Sequence, residues 1–327
     1  MNELPETNDD LLEMRMNQLK QNTQKQDRQV RESLDESVLL ENTSYFPIRE
    51  LSLKTGVNSV TLRAWERRYG LLKPKRTSKG HRLYDQDDVS RVEGILRWIQ
   101  QGVAVSKVRA LLEQGVVLDE VAPSNEWLEW QVSLVDAARM FQGDKIEQLY
   151  QQIFSQYPAE IAVRDWLLPS FEQLGKGSAL VFCESVVLAC LVARVTRMKT
   201  QKKQAVNVLI TGLAAQRMLW CYMAAAILVD KGLSCCVVPN AQYSHDWLGL
   251  LDGLQAQSVL VFCENELANK SADLVSQMQE WQKPVGVIGA SFWLSAYESN
   301  VTSLGDVKVY SEALEGVTDF MARVTQC

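Results

Sequence analysis

Histidine is nearly absent from this chain: among 327 residues only His81 and His245 carry an imidazole. That scarcity excludes a His-rich metal centre and a His-centred catalytic triad. A CxxC pair is missing as well. The seven cysteines (Cys183, Cys190, Cys221, Cys235, Cys236, Cys263 and Cys327) lie mostly inside apolar runs. They read as reduced core thiols, with redox sensing as the alternative. No Gly-rich phosphate loop and no nucleophile motif occurs, so an enzyme is not expected. Long apolar runs are lacking too: those near Val186–Val195 and Met223–Val229 read as too short to span a bilayer. The first twenty residues are polar and acidic, unlike a cleavable signal sequence. A cytoplasmic protein with no membrane partner is therefore expected.

What the chain does hold is a basic island. Tyr45 to Tyr84 carries ten Lys or Arg against two Glu, a local net charge of +8 in a chain of net charge -6. Such a patch marks a polyanion-binding surface. Ile48 to Lys54 reads as a helix with Ile48, Leu51 and Leu53 apolar, and Gly56 as a sharp turn. Asn58 or Ser59 then caps a second helix running to about Tyr69, because a side-chain oxygen there accepts orphan backbone N–H groups. Val60, Leu62 and Trp65 are expected inward or partly so, with Thr61, Arg63, Arg67 and Arg68 outward. Lys73, Pro74, Lys75, Arg76, Lys79, Gly80, His81, Arg82 and Tyr84 follow as a two-stranded wing. Helix, turn, helix and wing describe a reader of double-stranded DNA whose second helix enters the major groove. Ser59, Thr61 and Arg63 are the first candidates for base edges. Arg67, Arg68, Lys75, Arg76, Lys79 and Arg82 are assigned to phosphates and Tyr84 to the wing base. Trp65 and His81 complete the candidate contact set.

Around the island the chain divides by composition. With 327 residues, 46% of them hydrophobic, two or three globular domains are expected. Residues 1–43, with ten acidic and five basic side chains, read as a disordered polar tail. Leu11, Met14, Met16 and Leu19 offer it one amphipathic turn for a docking partner, and its acid could compete for the basic surface. Residues 44–115 make the DNA-binding head: Asp85 to Asp88 cap a helix to about Gln101, Gly102 ends it, and a short helix starts at Ser106. Beyond Pro123, helices at about Asn125–Gln142, Lys145–Tyr157, Ala159–Leu174 and Leu180–Met198 predict an antiparallel four-helix bundle over residues 124–202. From 204 to 327 the strands VNVLIT, LSCCVVP, SVLVFCEN, KPVGVIG and DVKVY alternate with helices. That alternation predicts a doubly wound parallel sheet with ligands beyond the strand carboxyl ends.

TLRAWERRYGLL followed by PKRTSKGHRLY closely resembles the MerR family of bacterial transcription regulators, over about Tyr45 to Leu112. AWERRYG is similar to the light- and cobalamin-responsive branch of that family. The resemblance implies a promoter inverted repeat as target, a homo-oligomer (dimer or higher), and RNA polymerase as a further partner. The simplest members continue into one long coiled-coil helix. Here a bundle and a sheet follow, a combination that resembles the cobalamin-binding photoreceptor regulators. The expected fold class is thus multidomain α/β: a winged helix-turn-helix head, a four-helix bundle and a flavodoxin-like doubly wound parallel sheet.

That branch implies a Glu-x-His-x-x-Gly motif after the first strand, its His being the lower ligand to cobalt, and a bundle Trp with a Glu-His pair over the upper face. In this sequence the three motif places fall at Ala215, Arg217 and Trp220. Glu184 matches the bundle Glu, but Ser185 stands at the His and the capping Trp has no counterpart. A guanidinium stays protonated and cannot replace imidazole as a ligand. His-ligated cobalamin binding is therefore expected to be lost and no cofactor is assigned; cobalamin held without a lower protein ligand is the alternative. Gln216, Arg217 and Trp220 form a strand-to-helix junction suited to an anion such as a nucleotide second messenger. The opposing reading has Trp220 simply filling vacated space in a scaffold. His245 reads as a surface or capping residue, or as a ligand contact. A signal-binding or partner-docking module, with DNA binding secondary, is the competing function.

Overall fold

The computed structural model describes residues 45–114, 126–199, 207–213, 218–238, 247–264 and 271–326. The tail (1–43), Pro123, Gln216, Arg217, His245 and Cys327 lie outside the described residues.

The head begins with β1 (Phe46–Pro47) and α1 (Ile48–Thr55), which Gly56 terminates in the left-handed conformation at φ 65°. Asn58, not Ser59, caps α2 (Ser59–Ala64): its side chain accepts from the Val60 N–H at 2.8 Å. The helix continues as one π turn, Trp65–Tyr69, closed by Gly70. β2 (Lys75–Arg76) and β3 (Arg82–Tyr84) form the wing, and β1 adds to it in the order β1-β3-β2. α3 (Gln86–Gln100) starts at a reciprocal capping box between Asp85 and Asp88, and α4 (Val105–Gln114) packs back on it.

Two expectations for α2 reverse. Val60 is exposed and Thr61 is buried. Packing against α1 and α6 selects the inward face: at 100° per residue, Thr61, Leu62, Ala64 and Trp65 share one side, while Ser59, Val60 and Arg63 share the other. Leu53, one of the apolar residues of α1, is exposed as well.

The bundle comprises α5 (Glu126–Arg139), α6 (Gly143–Gln156), the consecutive segments α7 (Ala159–Ala162), a π turn (Val163–Leu167) and α8 (Leu168–Leu174), and finally α9 (Ser178–Lys199). Where one helix was expected over 159–174, the π turn interrupts it. Helix α9 is, among the described residues, long and apolar enough to cross a membrane, contrary to the expectation that every apolar run is too short. In this fold it is a bundle helix: Cys183, Val187, Leu191 and Val195, spaced by four, are 5% exposed or less.

The sheet runs β5 (Ser234–Val238), β4 (Asn207–Gly212), β6 (Ser258–Phe262), β7 (Val285–Ile288), β9 (Val307–Tyr310) and β8 (Ser303–Leu304). All pairs are parallel except the short edge strand β8, which the sequence pattern did not signal. Its order is the doubly wound one, with the switch point beside β4. Strands β4, β6 and β7 are apolar on both faces because helices cover both. α10 (Met218–Asp230), α11 (Trp247–Gly253), α12 (Ser271–Gln279), α13 (Ala290–Glu298) and α14 (Ala313–Gln326) supply the cover. α10 is apolar all round, since the sheet lies on one side of it and α9 on the other.

One buried cluster is continuous from Phe46 in the head, through the bundle, to Val324 on one face of the sheet. Two turns let the head approach the sheet. A Cβ on Gly56 would meet Lys231 Cδ at 2.6 Å, and one on Gly232 (φ 104°) would meet Leu53 Cδ2 at 2.9 Å. Both positions need φ above zero, so glycine serves conformation and clearance together.

Beside them sits Asp230, 3% exposed. Its Oδ1 accepts from Arg194 Nη2 at 2.7 Å and from Asn58 Nδ2 at 3.1 Å, and its Oδ2 accepts from the Ala159 N–H at 2.9 Å. Sheet, bundle and the start of α2 thus meet at one carboxylate. Asp230→Ala is expected to cost about 3–5 kcal/mol, because it strands the Arg194 charge in the interior. Asp230→Asn should cost less. Urea unfolding of both variants measures the difference, and an Ala variant as stable as the parent would remove the carboxylate from its central place.

Candidate nucleic-acid interface

The stretch Trp65 to Tyr69 turns most of its chemistry inward. Trp65 is fully buried, and its Nε1–H donates to the Gln156 carbonyl at 2.7 Å. Tyr69 OH donates to Gln156 Oε1 at 2.6 Å. A π turn widens the helix so that residues four and five apart fall in line. Trp65 and Tyr69 therefore reach the same residue at the end of α6. Burial raises the Tyr69 pKa from its ordinary value, with Arg68 opposing, so the hydroxyl stays a neutral donor.

Glu66 holds the wing. It pairs with Arg76 at 3.0 Å and, at shorter range, with Arg82. The hydrogen bond from Arg82 to Glu66 raises the pKa of that guanidinium further. Arg76 Nη1 also donates to the Gly80 carbonyl at 3.3 Å. The wing tip is a tight turn: the Gly80 N–H bonds to Thr77 O at 2.8 Å, the Thr77 N–H to His81 O at 2.9 Å, and Gly80 takes φ 83°. Lys75 lies against Tyr45, its Nζ 4.3 Å from the ring centroid.

These contacts sort the expected site residues. Arg63, Arg67, Arg68, Lys75, Lys79 and His81 are exposed, Ser59 is half-buried, and Lys73 joins them from outside the expected set. Arg67 Nε donates to the Arg63 carbonyl at 3.4 Å, which lays one cation along the helix surface. Thr61, Trp65 and Tyr84 are in the interior of the head and not on its surface. Burial pushes the Tyr84 hydroxyl up to about 12. Arg76 and Arg82 spend part of their charge on Glu66. Sequence reasoning missed Glu66, although an acid among so many cations was itself a signal. It also missed Gln156 and Asp230, which nothing local in the sequence marks.

The second expected site lies at the carboxyl ends of the strands. A cleft of about 540 Å³ is lined by Trp220, Phe262, Glu264, Gly289, Glu312 and Glu315, among others. Trp220 stacks toward Phe262, with centroids 6.4 Å apart and planes at 19°. A Cβ on Gly289 would fall 1.7 Å from the Cys263 carbonyl oxygen, so only glycine fits between β6 and β7 there. Glu184 is on α9 and does not line this cleft.

The thiols near these sites are held neutral by burial: Cys183 and Cys221 are pushed up to about 12, and Cys190 to about 11. That suits core packing more than redox chemistry.

Residues 46–115 match the family described as MerR HTH family regulatory protein. The HTH-type transcriptional regulator MlrA of Escherichia coli (strain K12) is 28% identical over 249 residues, covering 73% of this chain and 95% of that protein. The HTH-type transcriptional repressor CarH of Myxococcus xanthus is 29% identical over 133 residues, 37% of this chain and 44% of that protein. The mercuric resistance operon regulatory protein of Bacillus cereus is 34% identical over 91 residues, 28% of this chain and 67% of that protein.

Trp65→Phe keeps a ring in place but leaves the Gln156 carbonyl without its donor. The expected cost is about 1–3 kcal/mol. Hydrogen exchange should show faster opening between α2 and the end of α6, and unchanged exchange there would show that the bond contributes nothing.

Proposed function

Because the chain belongs to the MerR family of helix-turn-helix transcription regulators, we propose that it reads a specific promoter inverted repeat in double-stranded DNA through α2. The observation that carries this reading is the division of the basic island. One set of side chains is locked inside the fold, and another, on one helix face and the wing, is left to solvent. In the proposed complex Ser59 and Arg63 face base edges, while Thr61, named with them from the sequence, is buried and drops out. Arg67, Arg68, Lys73, Lys75 and Lys79 meet phosphates, with His81 at the wing tip. Arg76 and Arg82 chiefly hold the wing against Glu66. Two copies would present their heads to the two half-sites, about 34–36 Å apart along the duplex. RNA polymerase is the partner that such an occupied promoter would meet.

The same reading makes the sheet domain a scaffold that carries the head. Ordinary His-ligated cobalamin does not suit the cleft: its lower-ligand place is Arg217 in the sequence, and the Trp220 ring stands in the cleft against Phe262. Glu264, Glu312 and Glu315 line it, which disfavours a nucleotide phosphate as well. Protein purified from cobalamin-fed cells is expected to be colourless; a red protein would overturn the scaffold reading.

Fluorescence anisotropy on a labelled promoter duplex tests the head. Arg68→Ala should weaken binding to all duplexes alike and lower the magnitude of the salt slope by about 0.9. Arg63→Ala should also relax discrimination at one base pair by about 1–3 kcal/mol. Arg82→Ala should weaken binding while leaving the slope close to the parent's, since Glu66 already answers its charge. An unchanged slope in Arg68→Ala would refute the assignment of phosphates.

A further inference from the structure

A second cavity, of about 350 Å³, opens between the head and the bundle. α6 gives it Tyr150 and Phe154, α9 gives it Cys190, Arg194 and Arg197, and Asn58 with Val60 bring the start of the recognition helix to its wall. It is separate from the strand-end cleft, with which it shares no lining residue. Its size falls at the small end of those that take metabolites.

Among the described residues, two buried donors beside it have no partner: Tyr150 OH and Arg194 Nε. Leaving such groups unpaired is costly, and an acceptor placed between them would remove that cost. Tyr150 is 5% exposed, and burial holds its pKa far above the ordinary value, so the hydroxyl is a standing donor. The other nitrogens of Arg194 are engaged, Nη2 with Asp230 at 2.7 Å and Nη1 with the Phe154 carbonyl at 3.4 Å. Asp230 in turn is saturated by Arg194, Asn58 and Ala159. Arg197 stands at the mouth. The floor is aromatic: the Tyr150 and Phe154 rings stack with centroids 4.1 Å apart, and Arg194 lies 5.3 Å from the Phe154 ring.

We propose that this cavity binds a small aromatic anion, its carboxylate or phosphate accepting from Tyr150 OH and Arg194 Nε and facing Arg197, its ring against Tyr150, Phe154 and Val60. A ligand there touches Asn58, the cap of α2. It therefore distinguishes a head docked on the bundle from one released, and changes DNA affinity by that difference. The binding step is independent of the DNA-reading proposal; only the coupling rests on it.

Calorimetry on the full chain without DNA, using benzoate, phenyl phosphate and the neutral benzyl alcohol, tests the site. At least one anion is expected to bind about tenfold or more tightly than the alcohol, and the tighter of the two names the head group. Tyr150→Phe, which keeps the ring, should weaken anion binding about tenfold and leave the alcohol unaffected. Arg197→Gln, at the exposed mouth, should narrow the gap between anion and alcohol. Equal binding of all three compounds, failure of both anions to bind at millimolar concentration, or parent-like anion binding by both variants overturns the proposal. Repeating the duplex titration with the bound anion then tests the coupling. An unchanged duplex affinity overturns the coupling alone, and a chain that binds no duplex overturns the DNA reading alone.

Discussion

The arrangement of this molecule depends on one buried carboxylate in an unfavourable local position. Asp230 is the last residue of α10, where the helix dipole presents its negative end and an anion is least welcome. Its partners lie elsewhere. The Ala159 N–H is the first of a helix whose cap, Pro158, supplies no side-chain bond, so Asp230 caps α7 from another part of the chain. The amide of Asn58 works in both directions: its oxygen accepts from Val60 to start α2, and its nitrogen donates to Asp230. Arg194 brings the opposite charge and is itself largely enclosed, with 14% of its side chain exposed. A buried ion pair of this kind adds little net stability over an apolar filling, but it tolerates few alternative arrangements. It fixes which start of which helix lies against which end.

Around that point the apolar packing is continuous. Lys231 and Gly232, immediately after the carboxylate, form the turn on which Gly56 and Leu53 of the head rest. Lys231 also pairs with Glu160 at 3.5 Å, one residue beyond the Ala159 contact. A short run, 230–232, thus touches both the bundle and the head, though it belongs to the sheet. α10 transmits its position because one side packs on the strands and the other on α9.

Much of this was legible in the sequence, and the parts that were not share a cause. Helices and strands followed from period: α3, with Val89, Val92, Ile95 and Ile99 buried, is a clean stripe, and the parallel strands are apolar runs. The reversal of Val60 and Thr61 follows from which face of α2 packs against α1 and α6, a tertiary choice that its short sequence does not fix. Counting charge found the island but could not tell Arg63 from Arg82, because the difference is the presence of Glu66 sixteen residues before the latter. Pairings such as Asn58 with Asp230, 172 residues apart, leave no local trace. Asp230 read from sequence alone is an ordinary surface acid at a helix end.

The inward turn of the AWERRYG stretch also limits what that stretch can encode. Trp65 and Tyr69 spend their polar atoms on Gln156 and Glu66 spends its carboxylate on the wing, and the Trp65 ring is fully buried. In the proposed reading, sequence preference comes from the outward positions of α2 and from the wing. The stretch instead ties the end of α2 to the end of α6. The two ends of α2 are held separately, Asn58 by Asp230 at the start and Trp65 with Tyr69 by Gln156 at the finish. A rod held at both ends can shift only if one hold loosens. Any signal reaching this head from the rest of the chain therefore has two places to act, and the cavity beside Asn58 adjoins the first.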